Sequence, residues 1–167
     1  MEFHYCAACG SKPIRKIIGD EGEMAYCDTC KIPLFPYFYT CIITLVVSET
    51  NEFALIQQYG INDRFICVAG YIKAGETAEE TVEREVGEEV GLNTHGVQYV
   101  GSYYLGRKDQ LMLGFAAKVD KADFKLSGEV DKACWFTEEE AEKVLPPNSI
   151  ALNLFLDYVK QSRSVIA

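Results

Sequence analysis

Four cysteines in two CxxC pairs, Cys6 and Cys9 in CAAC and Cys27 and Cys30 in CDTC, govern how the first part of this chain can fold. Seventeen residues separate the pairs, a spacing inside the window for a four-thiolate zinc site. Each CxxC turn offers two sulfurs to one ion, and tetrahedral Zn²⁺ takes four of them at about 2.3 Å. A thioredoxin-like redox motif needs a single CxxC entering a helix in a βαβ setting, and neither pair has that. Four thiolates close the coordination sphere, so the ion is expected to be structural, one per chain. A module of about 34 residues is too small for a core of its own, and metal binding would supply its folding energy. Gly10 is expected in a tight turn beside the first pair. Lys12 to Ala25 should form a short hairpin turning near Gly19-Asp20-Glu21-Gly22, with His4 at the surface.

Charge narrows the partners. Acids outnumber bases 25 to 16, and residues 1–35 carry four bases against five acids. Phosphate contacts need clustered Lys and Arg, so extended nucleic-acid binding and attachment to anionic membranes are not expected. No apolar run reaches 18 residues, which excludes a spanning helix. The opening MEFHYCAACG lacks the charged and apolar regions of a signal peptide, so a cytoplasmic location is expected. Seven cysteines, an odd count, then fit metal ligation plus buried thiols at Cys41, Cys67 and Cys134 rather than disulfides.

Past a stiff connector, Ile32-Pro-Leu-Phe-Pro36, the pattern turns β-rich. Tyr39 to Val47 is β-branched and aromatic enough for a buried strand, with further strands at Phe53 to Tyr59 and Phe65 to Ala69. Thr77 to Val90 reads as a helix, capped by Thr77 with Glu80 three residues on and ended by Gly91. Val97 to Leu105 and Gln110 to Val119 should pair around the polar turn Gly106-Arg-Lys-Asp109, and Ala133 to Phe136 is a short strand. Helices are expected from near Thr137 and over about Ser149 to Lys160. The order implies an α+β fold, a mixed α/β sandwich with the central helix packed on a sheet.

That helix carries the chemistry. Glu85, Glu88 and Glu89 stand at i, i+3 and i+4, which places three carboxylates on one face within about 6 Å. Such a cluster repels itself unless a hard divalent cation is bound. On spacing alone, a solvated acidic face and a Mg²⁺ or Mn²⁺ site both account for it.

The surroundings go further. From Gly70 the sequence reads GYIKAGETAEETVEREVGEEVGL: Gly70, five residues, Glu76, seven residues, then Arg84-Glu85-Val86-Gly87-Glu88-Glu89-Val90-Gly91-Leu92. This matches the Nudix signature at every fixed position, with Val86 and Leu92 in the aliphatic slots, so residues 35–167 resemble a Nudix hydrolase domain behind a zinc ribbon at 1–34. The resemblance implies the Nudix fold and divalent-metal-dependent hydrolysis of a nucleoside diphosphate linked to another moiety. By the same resemblance Glu85, Glu88 and Glu89 are the main Mg²⁺ or Mn²⁺ ligands, and Arg84 pairs with Glu76. Gly70, Gly75 and Gly91 supply flanking turns. The general base varies within the family, and here a box glutamate or Glu129 fills the role.

A four-cysteine module before such a domain resembles the NADH pyrophosphatase family over nearly the whole chain. Phe35-Pro36 before Cys41-Ile42-Ile43, Ala69-Gly70-Tyr71, Tyr99-Val-Gly-Ser102, Leu111-Met112, Glu129, Ala133-Cys-Trp135-Phe136 and Leu145-Pro-Pro147 follow that family's order and spacing. The mapping makes Glu129 a metal ligand outside the box, and Tyr71 and Phe35 the aromatics that sandwich a base. It also implies a homodimer, with Phe35 reaching across it. The family's SQPWPFP motif is replaced by Ser102-Tyr-Tyr-Leu-Gly-Arg-Lys108, and its additional N-terminal domain is not in this sequence. NADH therefore competes with FAD or ADP-ribose as the expected small-molecule substrate, and Arg107 becomes a candidate phosphate contact. NAD-type caps on RNA ends are a third substrate, and a non-catalytic nucleotide sensor is the alternative of another class.

Overall fold

The computed structural model describes residues 3–60 and 63–166. The chain divides into two compact units, Met1–Phe38 and Tyr39–Ala167. The sequence reading put the boundary at 34/35; in the structure the Phe3 and Tyr37 rings meet at 6.0 Å within the first unit.

The first unit is a three-stranded antiparallel sheet in the order β1-β2-β3, with β1 at Ile14–Ile17, β2 at Glu23–Cys27 and β3 at Ile32–Pro33. The hairpin turns through Gly19–Glu21. Part of the segment read as a connector is a strand, since Ile32 and Pro33 pair with Cys27 and Tyr26. Proline is tolerated there because β3 is an edge.

The second unit is built around β4 (Tyr39–Ser48). With β5 (Phe53–Gln58), β6 (Val68–Tyr71), β7 (Thr94–Leu105), β8 (Gln110–Val119) and β9 (Val130–Phe136), it forms a sheet in the order β7-β8-β4-β5-β9. β8 runs parallel to β4 along its whole length. On its other side β4 is shared: Cys41–Thr44 pair with β6, and Val46 and Val47 with β5. The apolar run of β4 follows from burial on both faces. Ile43, Leu45 and Val47 pack toward α3 (Ile150–Ile166), and Ile42 and Val46 toward α1 (Ala78–Val90). A shorter helix, α2 (Glu138–Val144), starts at a Thr137–Glu140 capping box.

α1 begins with the expected capping box, Thr77 accepting from the Glu80 amide while the Glu80 carboxylate accepts from the Thr77 amide, and ends at Gly91 in the left-handed region. Val82, Val86 and Val90 lie at four-residue spacing on its buried side, each stabilising the packing by about 1.5–3 kcal/mol. Four boundaries move from the sequence reading, the first being β9, which starts at Val130 rather than Ala133 because its pairing with β5 continues to Gln58. β6 starts at Val68 because Phe65 turns in to pack on Phe136, leaving Ile66 a single bridge to Ile56. β7 starts at Thr94, paired across to Val119. α3 runs to Ile166, its added turns tied by Gln161 to the Val100 carbonyl and Arg163 to Glu138. Cys41 and Cys67 are buried as expected, and Cys134 is partly buried. Among the described residues no helix is long and apolar enough to cross a membrane.

Candidate active site and metal centre

In the first unit the sulfurs of Cys6, Cys9, Cys27 and Cys30 all lie within 4.8 Å of one another. The two CxxC turns end alike: Gly10 at φ +72° follows Cys9, and Lys31 at φ +59° follows Cys30. The Gly10 amide donates to the Cys6 carbonyl at 2.8 Å, and the Cys30 amide donates to the Cys27 sulfur at 3.4 Å. Crowding splits the thiols. Hydrogen bonds from Ser11, then Cys30 and Cys27, hold Cys9 down at about 6, while Cys9 and Cys27 push Cys30 up to about 12. Four soft sulfur donors that cannot all ionise without a cation fit a tetrahedral zinc. His4 is exposed, as expected.

In the second unit Arg84 organises the carboxylates. Its guanidinium grips Glu76 with two bonds, Nε to Oε1 at 2.7 Å and Nη2 to Oε2 at 2.9 Å. Nη1 reaches Glu85 at 2.6 Å and Glu88 at 3.1 Å, and Nη2 also donates to the Tyr71 carbonyl at 3.2 Å. The guanidinium pulls the Glu76 carboxyl down to about 2, helped by the Lys73 amide and the Thr81 hydroxyl. Arg84 thus ties the loop before α1 to the end of β6.

The three box glutamates differ in setting. Glu88 is exposed and Glu85 nearly covered, while Glu89 shows only 4 % of its surface and its Oε2 has no hydrogen-bond partner. Burial first, then the Glu85 and Glu129 carboxylates, push Glu89 up to about 8; Gln58 acts in the opposite sense. Glu129 reaches this place because its loop is pinned to the helix end, the Ser127 amide donating to the Glu89 carbonyl at 3.2 Å. A buried carboxylate with a bare oxygen and two acidic neighbours is a poor core residue and a good hard-cation donor. Among the described residues the four thiols are the one cluster of three or more ligand atoms within 4.8 Å, while Glu85 and Glu88 each accept from Arg84.

One of the three glycines plays a different part from the one the resemblance implied. Gly75 (φ +92°) and Gly91 (φ +71°) do make turns, but Gly70 lies inside β6. A Cβ there would overlap the Glu85 carboxylate, so Gly70 is the gap that lets the carboxylate lie against the strand. Gly70→Ala should therefore drop kcat about a hundredfold, by displacing Glu85, at a cost of about 1–3 kcal/mol in stability. Denaturant melts and turnover measured on the same preparation check both numbers.

Of the candidate substrate contacts, Tyr71 is 54 % exposed, and its hydroxyl accepts from Gln110 Nε2 at 2.7 Å. Arg107 is exposed in the Gly106–Lys108 turn, and Phe35 is exposed in the first unit. Sequence reasoning missed three side chains: Gln58 beside Glu89, Gln110 behind Tyr71, and Tyr39 edge-on to Tyr71. Only Gln110 left a trace in the sequence, as a polar residue at the head of an apolar strand.

The sheet, the box helix and its carboxylates define a class of enzyme fold. Residues 39–156 match the NUDIX domain model, and the chain belongs to the Nudix hydrolase family. It is similar to the NAD-capped RNA hydrolase NudC of Deinococcus radiodurans, 36% identical over 158 residues, covering 92% of this chain and 55% of that protein. Nudix hydrolase 19, chloroplastic, of Arabidopsis thaliana is 33% identical over 157 residues, covering 87% of this chain and 36% of that protein. The chain spans roughly half or less of these relatives' length. A NUDIX hydrolase from Nitrosomonas europaea shares the fold with a TM-score of 0.72 at 20% identity, covering 97% of this chain and 93% of that one.

Proposed function

We propose that this Nudix hydrolase cleaves the diphosphate linkage of a dinucleotide, an NAD-type compound in the first place, into two mononucleotides. The observation that carries the proposal is the buried Glu89 carboxylate, one oxygen without a hydrogen-bond partner, on the helix that also carries Glu85 and Glu88. The similarity to proteins named NAD-capped RNA hydrolases supports the substrate class. Glu85, Glu88, Glu89 and Glu129 would hold Mg²⁺ or Mn²⁺. When bound, these ions supply charge neutralisation of the diphosphate and activation of water. Arg84, fixed on Glu76, keeps Glu85 aligned with Gly70 and orients the loop entering α1. Tyr71 supplies an aromatic face for a base, and Arg107 and Phe35 are further substrate contacts. Cys6, Cys9, Cys27 and Cys30 would hold one structural Zn²⁺. A cytoplasmic homodimer completes the proposal, with analytical ultracentrifugation as its test.

A second reading, FAD or ADP-ribose as substrate, is favoured by Ser102–Lys108, where two tyrosines and two bases stand in place of SQPWPFP. One panel separates the readings: NADH, NAD⁺, FAD, ADP-ribose, a diadenosine polyphosphate and NAD-capped RNA, each with Mg²⁺ or Mn²⁺, products identified by mass. Reduced NMN plus AMP from NADH, or NMN plus AMP from NAD⁺, at the highest kcat/KM is the expected result. Binding without turnover across the panel would establish a non-catalytic nucleotide sensor instead.

A further inference from the structure

We propose that Tyr39 and Gln110 are specificity determinants: Tyr39 forms, with Tyr71, a two-ring corner that seats the substrate's planar base, and Gln110 fixes the orientation of that corner. The proposal rests on the nucleotide-hydrolase reading and extends it to two residues outside the box.

Tyr39 opens β4 and Tyr71 closes β6, and antiparallel pairing of these strands sets Cys41 opposite Tyr71. Alternation then puts Tyr39 on the same side of the sheet as Cys41 and Tyr71. Their rings meet at 5.8 Å with 78° between planes. Two nearly perpendicular rings form a corner in which a flat heterocycle can stack on one face and offer its edge to the other. Both rings stay more than half exposed, 58 % for Tyr39 and 54 % for Tyr71. A pair that served only as core would be covered.

Gln110 is the opposite kind of residue, a polar side chain only 5 % exposed at the start of β8. It pairs with Tyr39 in register, and its Nε2 donates to the Tyr71 hydroxyl at 2.7 Å and faces the Cys41 sulfur at 3.4 Å. A buried amide spends its donors where they are satisfied. Here one of them fixes the far end of an exposed ring. With the Tyr71 carbonyl held by Arg84, that tyrosine is anchored at both ends.

The corner also adjoins the box carboxylates along β6. Tyr71 follows Gly70, against which the Glu85 carboxylate lies. Successive side chains of a strand leave opposite faces, so a substrate with its diphosphate at Glu85 must bend over the open end of β6 to place a base on Tyr71.

Calorimetric titration with AMP, with NMN and with base-free ribose 5-phosphate tests this on the full chain, and steady-state kinetics on the best substrate of the panel run alongside. Tyr39→Leu should weaken AMP or NMN about tenfold, leave ribose 5-phosphate unchanged, and raise KM more than it lowers kcat. Tyr39→Phe should restore binding. Gln110→Leu and Tyr71→Phe should each weaken nucleotide binding severalfold, and together no more than either alone, because both remove one hydrogen bond. A purely structural Gln110 would instead lower Tm and leave affinity untouched. Unchanged AMP and NMN affinity in Tyr39→Leu, an equal loss for ribose 5-phosphate, or additive effects of the Gln110 and Tyr71 variants would overturn the proposal. So would a parent protein that binds neither nucleotide. Failure of the hydrolase reading has a different signature, nucleotide binding that responds to Tyr39 with no turnover of any dinucleotide.

Discussion

Glu89→Gln should lower kcat by on the order of a thousandfold or more while the protein folds at least as well as its parent. The amide keeps the shape of the side chain and deletes a charge from a place that is 4 % exposed and that the Glu85 and Glu129 charges already disfavour. Stability against pH carries the same information. Burial and the two acidic neighbours lift this carboxyl from 4.5 to about 8, so between those values the metal-free folded chain retains a proton that the unfolded chain has released. Stability from this group is therefore present below 4.5 and is lost as pH rises toward 8. Melting curves across that window should slope downward in the parent more steeply than in Glu89→Gln. Mn²⁺ should raise the parent's Tm, most at the alkaline end, and do far less for the variant, since only the folded parent offers the ion its full donor set. Near-normal turnover of Glu89→Gln, or parallel pH slopes, would remove Glu89 from the site.

Stripping zinc, or replacing Cys27 with Ser, should unfold the sheet of the first unit. Among its described residues only Cys6, Ala25, Tyr26 and Cys27 are buried, and two of those are the thiols themselves. A sheet whose β1 is exposed at every position has no apolar interior to fall back on. With zinc bound as proposed, metal energies of roughly 10–16 kcal/mol would then be the dominant stabilising contribution. Hydrogen exchange at the amides of residues 14–33 should go from protected to fully exchanging after chelation, with the four thiols becoming reactive together. Protection that survives in protein shown to be metal-free would refute a structural ion.

What could be read from the sequence was what a short stretch of chain decides for itself. The α1 capping box, its left-handed stop at Gly91 and the valine stripe all involve residues within a few positions of one another. The two cysteine turns are local too, and their 17-residue spacing left few ways to close. Features made by pairing distant strands were not readable. Gln110 meets Tyr71 across 39 positions, and Tyr39 meets it across a strand pair. Gln58 comes beside Glu89 where β5 and β9 shift register between Gln57 and Gln58. Gly70 looked like another turn glycine because nothing in its neighbourhood announces that a carboxylate from 15 positions later will occupy the space of its side chain.

The boundary between Gly70 and Tyr71 has an evolutionary consequence. At position 70 a side chain would displace the Glu85 carboxylate, the acid we propose as a metal ligand, so drift there is closed. One residue on, the side chain leaves the other face of the strand and meets solvent, so drift there is open. On the proposed reading, lineages descending from such a chain would retune which compounds they accept by changing the second residue and its two supporters, while the carboxylate cluster passes on unaltered. The fold keeps innovation and inheritance one peptide bond apart.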